Sequence, residues 1–192
     1  AHPAGTHWQY SSGTSNVLQS ILRGTFETEG AYHRYPRRVL FDPAGMASAL
    51  LEADASGVFV GSSFSWMTAR DWARFGQLLL MDGLIETDNP DEPRRILPQG
   101  LVKGLVAPAP AAKARNYGGH VWLNLGPPGA PAARAFPTLP TDLFYLSGYE
   151  GQFVLVFPSA EVVIVRLGVS KDSARVAVET LARDVLSALT ND

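Results

Sequence analysis

Three apolar runs in the last third of the chain restrict the fold more than anything else in it. Leu143–Ser147, Gln152–Phe157 and Val162–Leu167 are dense in β-branched and aromatic residues, the composition of strands. They are separated by Gly148–Gly151 and by Pro158–Glu161, four residues each. A parallel pairing needs a crossover of a dozen or more residues, so these strands must form an antiparallel meander. Both outer runs are almost continuously apolar, which predicts a sheet covered on both faces. The segment from about Ser173 to Leu189 carries Val178, Leu181, Val185, Leu186 and Leu189. That spacing predicts a terminal helix lying on one face of the sheet.

Upstream, the pattern is helical and loop-rich. Val17, Leu18, Ile21 and Leu22 form a stripe between a cap at Thr14 or Ser15 and a terminator at Gly24. Residues 25–65 show no sustained period and read as loop, with a short helix possible around Leu50-Leu51. Thr68-Ala69-Arg70-Asp71 is a capping box, in which the Thr68 hydroxyl and the Asp71 carboxylate each take an orphan helix N–H. Trp72, Phe75, Leu78 and Leu79 follow on one face, and Gly83 closes that helix. A short helix is expected from Pro98 and a short strand over His120–Asn124. Ala- and Pro-rich residues 107–116 and 126–140 should be irregular. The fold class is therefore α/β of the α+β type, an antiparallel sheet flanked by helices. The 192 residues fit one domain, with a helix- and loop-rich part over 14–115 and a sheet with its terminal helix over 116–192.

Composition narrows the function. A net charge of −2 is no footprint for nucleic acid, and no nucleic-acid partner is expected. No apolar run reaches the ~18 residues of a membrane helix, so no span is expected. The absence of cysteine excludes disulfides and thiolate chemistry. His2, His7, His33 and His120 show no helical metal-site spacing, and no metal or cofactor is expected. Asp88, Asp91 and Glu92 read as a solvated acidic loop. Ala1–Trp8 has neither a basic nor an apolar leader region and reads as a turn-rich entry to Tyr10, with two readings open: a short ordered tail after removal of an initiator methionine, or a domain that opens in mid-loop because it has lost its beginning.

Two segments remain as chemistry. Tyr10-Ser11-Ser12 stands at the mouth of a helix, and Ser147-Gly148-Tyr149-Glu150-Gly151-Gln152 breaks the sheet with glycines. Singly, each has a plain structural explanation: a cap with a packed ring, and a bulge or turn.

Together with Asp54–Ser63, Thr68–Gly76, Ile96-Leu97-Pro98 and Val165–Gly168, they span nearly the whole chain. In this order they resemble the serine β-lactamase and penicillin-binding-protein-like superfamily, more narrowly the class C β-lactamase-related esterases and nylon-oligomer hydrolases. The resemblance implies three elements: Ser-x-x-Lys for nucleophile and activating lysine, Tyr-x-Asn for a base, and a Lys-Thr-Gly or His-x-Gly strand. A serine hydroxyl attacks poorly until a neighbouring base takes its proton. Two backbone N–H groups then hold the oxyanion, each worth roughly 3–4 kcal/mol.

Carried over by position, Tyr10 matches the tyrosine base, and Ser12 stands where the family has asparagine. Tyr149-Glu150-Gly151 matches the third element, with Tyr149 in place of the cation that would hold a substrate carboxylate. Ser12, Tyr149, Glu150 and Gly151 are then the substrate-binding candidates. The Gln152 N–H matches one oxyanion donor, and the Tyr10 hydroxyl is expected near the Gly151-Gln152 backbone. Ser-x-x-Lys is absent: Gly100, Pro110 and Gly168 stand three residues before Lys103, Lys113 and Lys171. The resemblance thus implies the C-terminal part of a hydrolase for small esters or amides, partnered by an N-terminal segment or chain that bears Ser-x-x-Lys. The alternative is a β-lactamase-like binding module without catalysis. By the resemblance, the compartment would be periplasmic or secreted, with the cytoplasm as the alternative that the residues leave open.

Overall fold

The computed structural model describes residues 2, 3, 5–87, 89, 91–170 and 174–189. It divides into two compact units, Gln9–Phe75 and Ala1–Trp8 with Gly76–Asp192. Ala1, Asp88, Lys171 and Ser173, named above, lie outside the described residues.

In the unit Gln9–Phe75, helix α1 spans Ser12–Arg23. It starts earlier than Thr14 or Ser15 because Ser11 is the cap: its backbone is extended and its hydroxyl accepts the Gly13 N–H at 3.2 Å. Gly24 follows the last helical residue, as expected. The stripe Val17, Leu18 and Ile21 forms but stays exposed.

The span 25–65 is more structured than its sequence suggests. Thr28 caps helix α2, Glu29–Pro36, by accepting the Ala31 N–H. Pro36 has no N–H to continue the ladder, and the chain runs on as a wider π-helical turn, Arg37–Phe41. Leu50–Leu51 is strand β1 rather than a helix, paired antiparallel with β2, Ser65–Trp66. The buried Tyr32 ring meets Phe59 at 4.8 Å. Its hydroxyl donates to Gln19 and accepts the Phe59 N–H, so one side chain ties α1, α2 and the loop together.

Helix α3, Ala69–Leu80, begins in this unit and ends in the other. Only half of its capping box forms. Thr68 Oγ1 accepts the Asp71 N–H at 3.3 Å, but the Thr68 N–H donates to Ser48 Oγ and Asp71 turns to Ser48 instead. Gly83 (φ 83°) closes the helix, its N–H reaching the Leu78 carbonyl.

In the second unit, β3 (Leu84–Ile85) pairs with β4 (Arg94–Arg95). Helix α4 is Leu101–Leu105, not a helix from Pro98, because Gly100 before it is left-handed. The main sheet contains β5 (Trp122–Leu123), β6 (Phe144–Gly148), β7 (Gln152–Phe157) and β8 (Val162–Arg166), antiparallel and in that order. The meander is as expected. Strand β5 is shorter than expected because His120 is left-handed (φ 63°).

Side-chain alternation divides β7 between two cores. Phe153, Leu155 and Phe157 pack with Phe136, Leu139, Leu143 and Tyr145 beneath α5, Ala174–Leu189. Val154, on the other face, has Val163 beside it, and a Cβ on Gly76 would come within 2.5 Å of Val163 and 3.1 Å of Val154. All of Phe153–Phe157 is buried, worth about 1.5–3 kcal/mol per side chain. The core-facing row of α5 is Val178, Ala182 and Leu186. Leu181 and Leu189, expected in that row, are exposed; small Ala182 takes the place at i+4 that a reading by hydrophobicity gives to larger residues.

Residues 107–116 and 126–140 form neither helix nor strand. The second segment is nonetheless fixed from below. Fully buried Asn124 accepts the Phe136 N–H at 2.9 Å and donates to the carbonyls of Phe136 and Pro140 at 2.9 and 3.0 Å.

Candidate functional site

The site residues fall into two groups, one in each unit. Tyr10 and Ser12 belong to Gln9–Phe75, at the entry to α1. Ser12 is the first helical residue and is exposed. Tyr10 is 57% exposed. Asn16, one turn further along α1, has a buried side-chain oxygen with no partner among the described residues.

The other group is a single hairpin turn. β6 ends at Gly148, β7 starts at Gln152, and these two residues are opposed in the ladder. Tyr149, Glu150 and Gly151 make the three-residue connection. Glu150 and Gly151 are both left-handed (φ 56° and 85°), a shape that glycine takes without strain and glutamate takes only when held. The Tyr149 side chain is 83% exposed. The Gln152 side chain donates from Nε2 to the Tyr149 carbonyl at 3.4 Å, closing the turn on itself.

Residues beyond the turn hold it. The Ser170 N–H donates to the Glu150 carbonyl at 2.7 Å. Arg166, the last residue of β8, donates from Nη1 to the Gly151 carbonyl and to the Gly168 carbonyl (3.3 Å), and from Nη2 to the Ser170 hydroxyl. The sequence reading missed Arg166 and Ser170; the signal was the position of Arg166 at the end of the strand that returns, one turn later, to the level of the glycines.

The histidines serve packing and local bonds. His2 and His7 stack at 4.2 Å, and His33 Nε2 bonds the Gly57 carbonyl at 2.7 Å beside Phe59. No three His, Cys, Asp or Glu side chains among the described residues form a group that would hold a metal. No helix among them is long and apolar enough to cross a membrane.

Two other resemblance-bearing stretches prove to be structural. Asp54 accepts the Ser56 hydroxyl and the N–H groups of Ser56 and Val58. These bonds, the hydroxyl first, hold its carboxyl below the usual range. Asp71 anchors the start of α3. The second unit also has a cavity of about 570 Å³, lined by Leu79, Val102, Leu123, Leu143 and Phe144. None of the site residues lines it.

Comparison with known proteins fits this architecture. The profile of the family described as Beta-lactamase matches residues 1–188. A Bacillus anthracis protein described as a 6-aminohexanoate-dimer hydrolase superposes with a TM-score of 0.74 at 23% identity, over 100% of this chain and 46% of that one. A Mycobacterium bovis beta-lactamase superposes with a TM-score of 0.65 at 21% identity, over 99% of this chain and 67% of that one. The chain therefore spans about half the length of the first of these structures. No curated protein matches it.

Proposed function

The chain belongs to the Beta-lactamase family, and from that premise we propose that it is the C-terminal part of a serine hydrolase. That enzyme acts on small esters or amides through an acyl-enzyme, and its Ser-x-x-Lys nucleophile comes from an N-terminal segment or partner chain. One observation carries this reading. The family match runs through both site groups, yet none of the three lysines follows a serine at the required distance.

In this proposal Tyr10 is the general base or shares that role with the activating lysine, and the backbone N–H of Gln152 is one oxyanion donor. Ser12, Tyr149, Glu150 and Gly151 line the substrate. Tyr149 offers a ring and hydroxyl where a cation would grip a carboxylate, which favours uncharged short-chain esters or small amides over penicillin-type acids. Two features support an absent packing partner: the exposed α1 stripe, and the edge of strand β8, which is paired on one side only among the described residues.

The test is turnover of p-nitrophenyl acetate by residues 1–192, alone and joined to an upstream family segment carrying Ser-x-x-Lys. Hydrolysis by the joined protein only is the expected result. Hydrolysis by the chain alone, or none by the joined protein, overturns the reading.

A further inference from the structure

We propose that Arg166 is a positioning residue that aims the Gln152 N–H by gripping the carbonyl of the same peptide unit. The Gly151 carbonyl and the Gln152 N–H belong to one rigid plane and point in opposite directions. Whatever fixes the first fixes the second. Arg166 Nη1 donates to that carbonyl.

The register explains why arginine stands here. Arg166 is opposite Phe153, the last pair of the β7–β8 ladder. Gly151 lies two residues beyond Phe153, past the end of the ladder, so no strand partner among the described residues holds its carbonyl. The long side chain supplies the missing bond. Its second nitrogen donates to Ser170 Oγ, and the Ser170 N–H closes the circuit on the Glu150 carbonyl at 2.7 Å. Both left-handed residues of the turn, Glu150 and Gly151, thus have their carbonyls held by this one cluster.

Charge is not what the guanidinium supplies. Arg166 forms no ion pair among the described residues, and all its acceptors are carbonyls or a hydroxyl. The planar fork is what matters: it spans the Gly151 carbonyl and Ser170 at once, which an ammonium on a flexible stem cannot do in fixed geometry. Lysine is therefore no substitute. The inference rests on the proposed hydrolase only for its catalytic consequence, since the turn geometry belongs to this chain.

The experiment compares residues 1–192 with Arg166→Lys and Arg166→Ala, following the amide resonances and hydrogen exchange of Gly151 and Gln152, with Val163 as the control for an intact sheet. Both variants are expected to shift the Gly151 and Gln152 signals and to speed Gln152 exchange on the order of tenfold, leaving Val163 unchanged. Guanidinium ion at millimolar concentration should restore the Arg166→Ala signals. Unchanged Gln152 signals in Arg166→Lys, or no restoration by guanidinium, overturns the proposal. In the protein joined to a Ser-x-x-Lys segment, Arg166→Ala should lower kcat about tenfold or more with KM within about twofold. A changed KM with unchanged kcat contradicts a positioning role. If the unsubstituted joined protein turns over nothing, the hydrolase reading fails, and the Gln152 signals still decide the role of Arg166.

Discussion

The buried carboxylate of Asp71 takes both hydrogen bonds that Ser48 can donate, the backbone N–H at 2.8 Å and the hydroxyl at 2.5 Å. Its other oxygen accepts from Arg74 at 2.6 Å. The Ser48 hydroxyl in turn accepts the Thr68 N–H, so a loop before β1 and the start of α3 share one polar knot. Burial pushes the Asp71 carboxyl up, but the Ser48 bonds and the Arg74 guanidinium outweigh it and hold the group below its ordinary value.

Asp71→Asn should therefore destabilise the protein by about 2–3 kcal/mol, since an amide cannot accept from every one of these donors. The pH dependence has a definite sign. A carboxyl whose folded pKa lies below its unfolded value of about 3.9 contributes fully above that value, and the contribution is lost as pH falls through the folded pKa. Urea unfolding at neutral pH and near pH 3 checks this: the gap between wild type and Asp71→Asn should narrow in acid.

Asn124→Leu keeps the volume but strips the bonds that hold 126–140. The Phe136 N–H and the carbonyls of Phe136 and Pro140 lose their buried partner, at a cost of about 3 kcal/mol or more. Limited proteolysis should then cut between Pro127 and Pro140 first. A variant as resistant as wild type contradicts this role for Asn124.

The meander was legible because β-branched runs with four-residue gaps admit no other connection. Helix α2 was not, because its only large apolar side chains are two tyrosines in an eight-residue element, and only the Thr28 cap marks its start. Strands β1–β4 have two residues each, too few to show a period. In the site, Tyr10, Ser12 and the Tyr149–Gln152 turn came from motif resemblance. Arg166 lies in a resemblance-bearing stretch, but its role and that of Ser170 could not come that way, since they depend on a side chain reaching back past the end of a ladder.

Gly83→Ala tests the close of α3. Gly83 is left-handed, and a Cβ there would lie 2.5 Å from the Leu97 Cβ and 2.9 Å from its carbonyl oxygen. Strain and clash together should cost about 2 kcal/mol or more, read as a lower urea midpoint with an unchanged slope.

Tyr10→Phe isolates the hydroxyl. With the ring more than half exposed, folding should be unaffected, while kcat of the joined protein on p-nitrophenyl acetate falls about 10²-fold or more. Near-normal turnover by this variant removes Tyr10 from the role of base.

The central claim is that residues 1–192 carry the supporting half of a serine hydrolase and not its nucleophile. Mass spectrometry after fluorophosphonate treatment, with and without a joined Ser-x-x-Lys segment, tests it most directly. The account predicts no labelled serine in the chain alone and stoichiometric labelling of the Ser-x-x-Lys serine in the joined protein. Stoichiometric labelling of Ser11, Ser12, Ser147 or any other serine of residues 1–192 in the chain alone would contradict it.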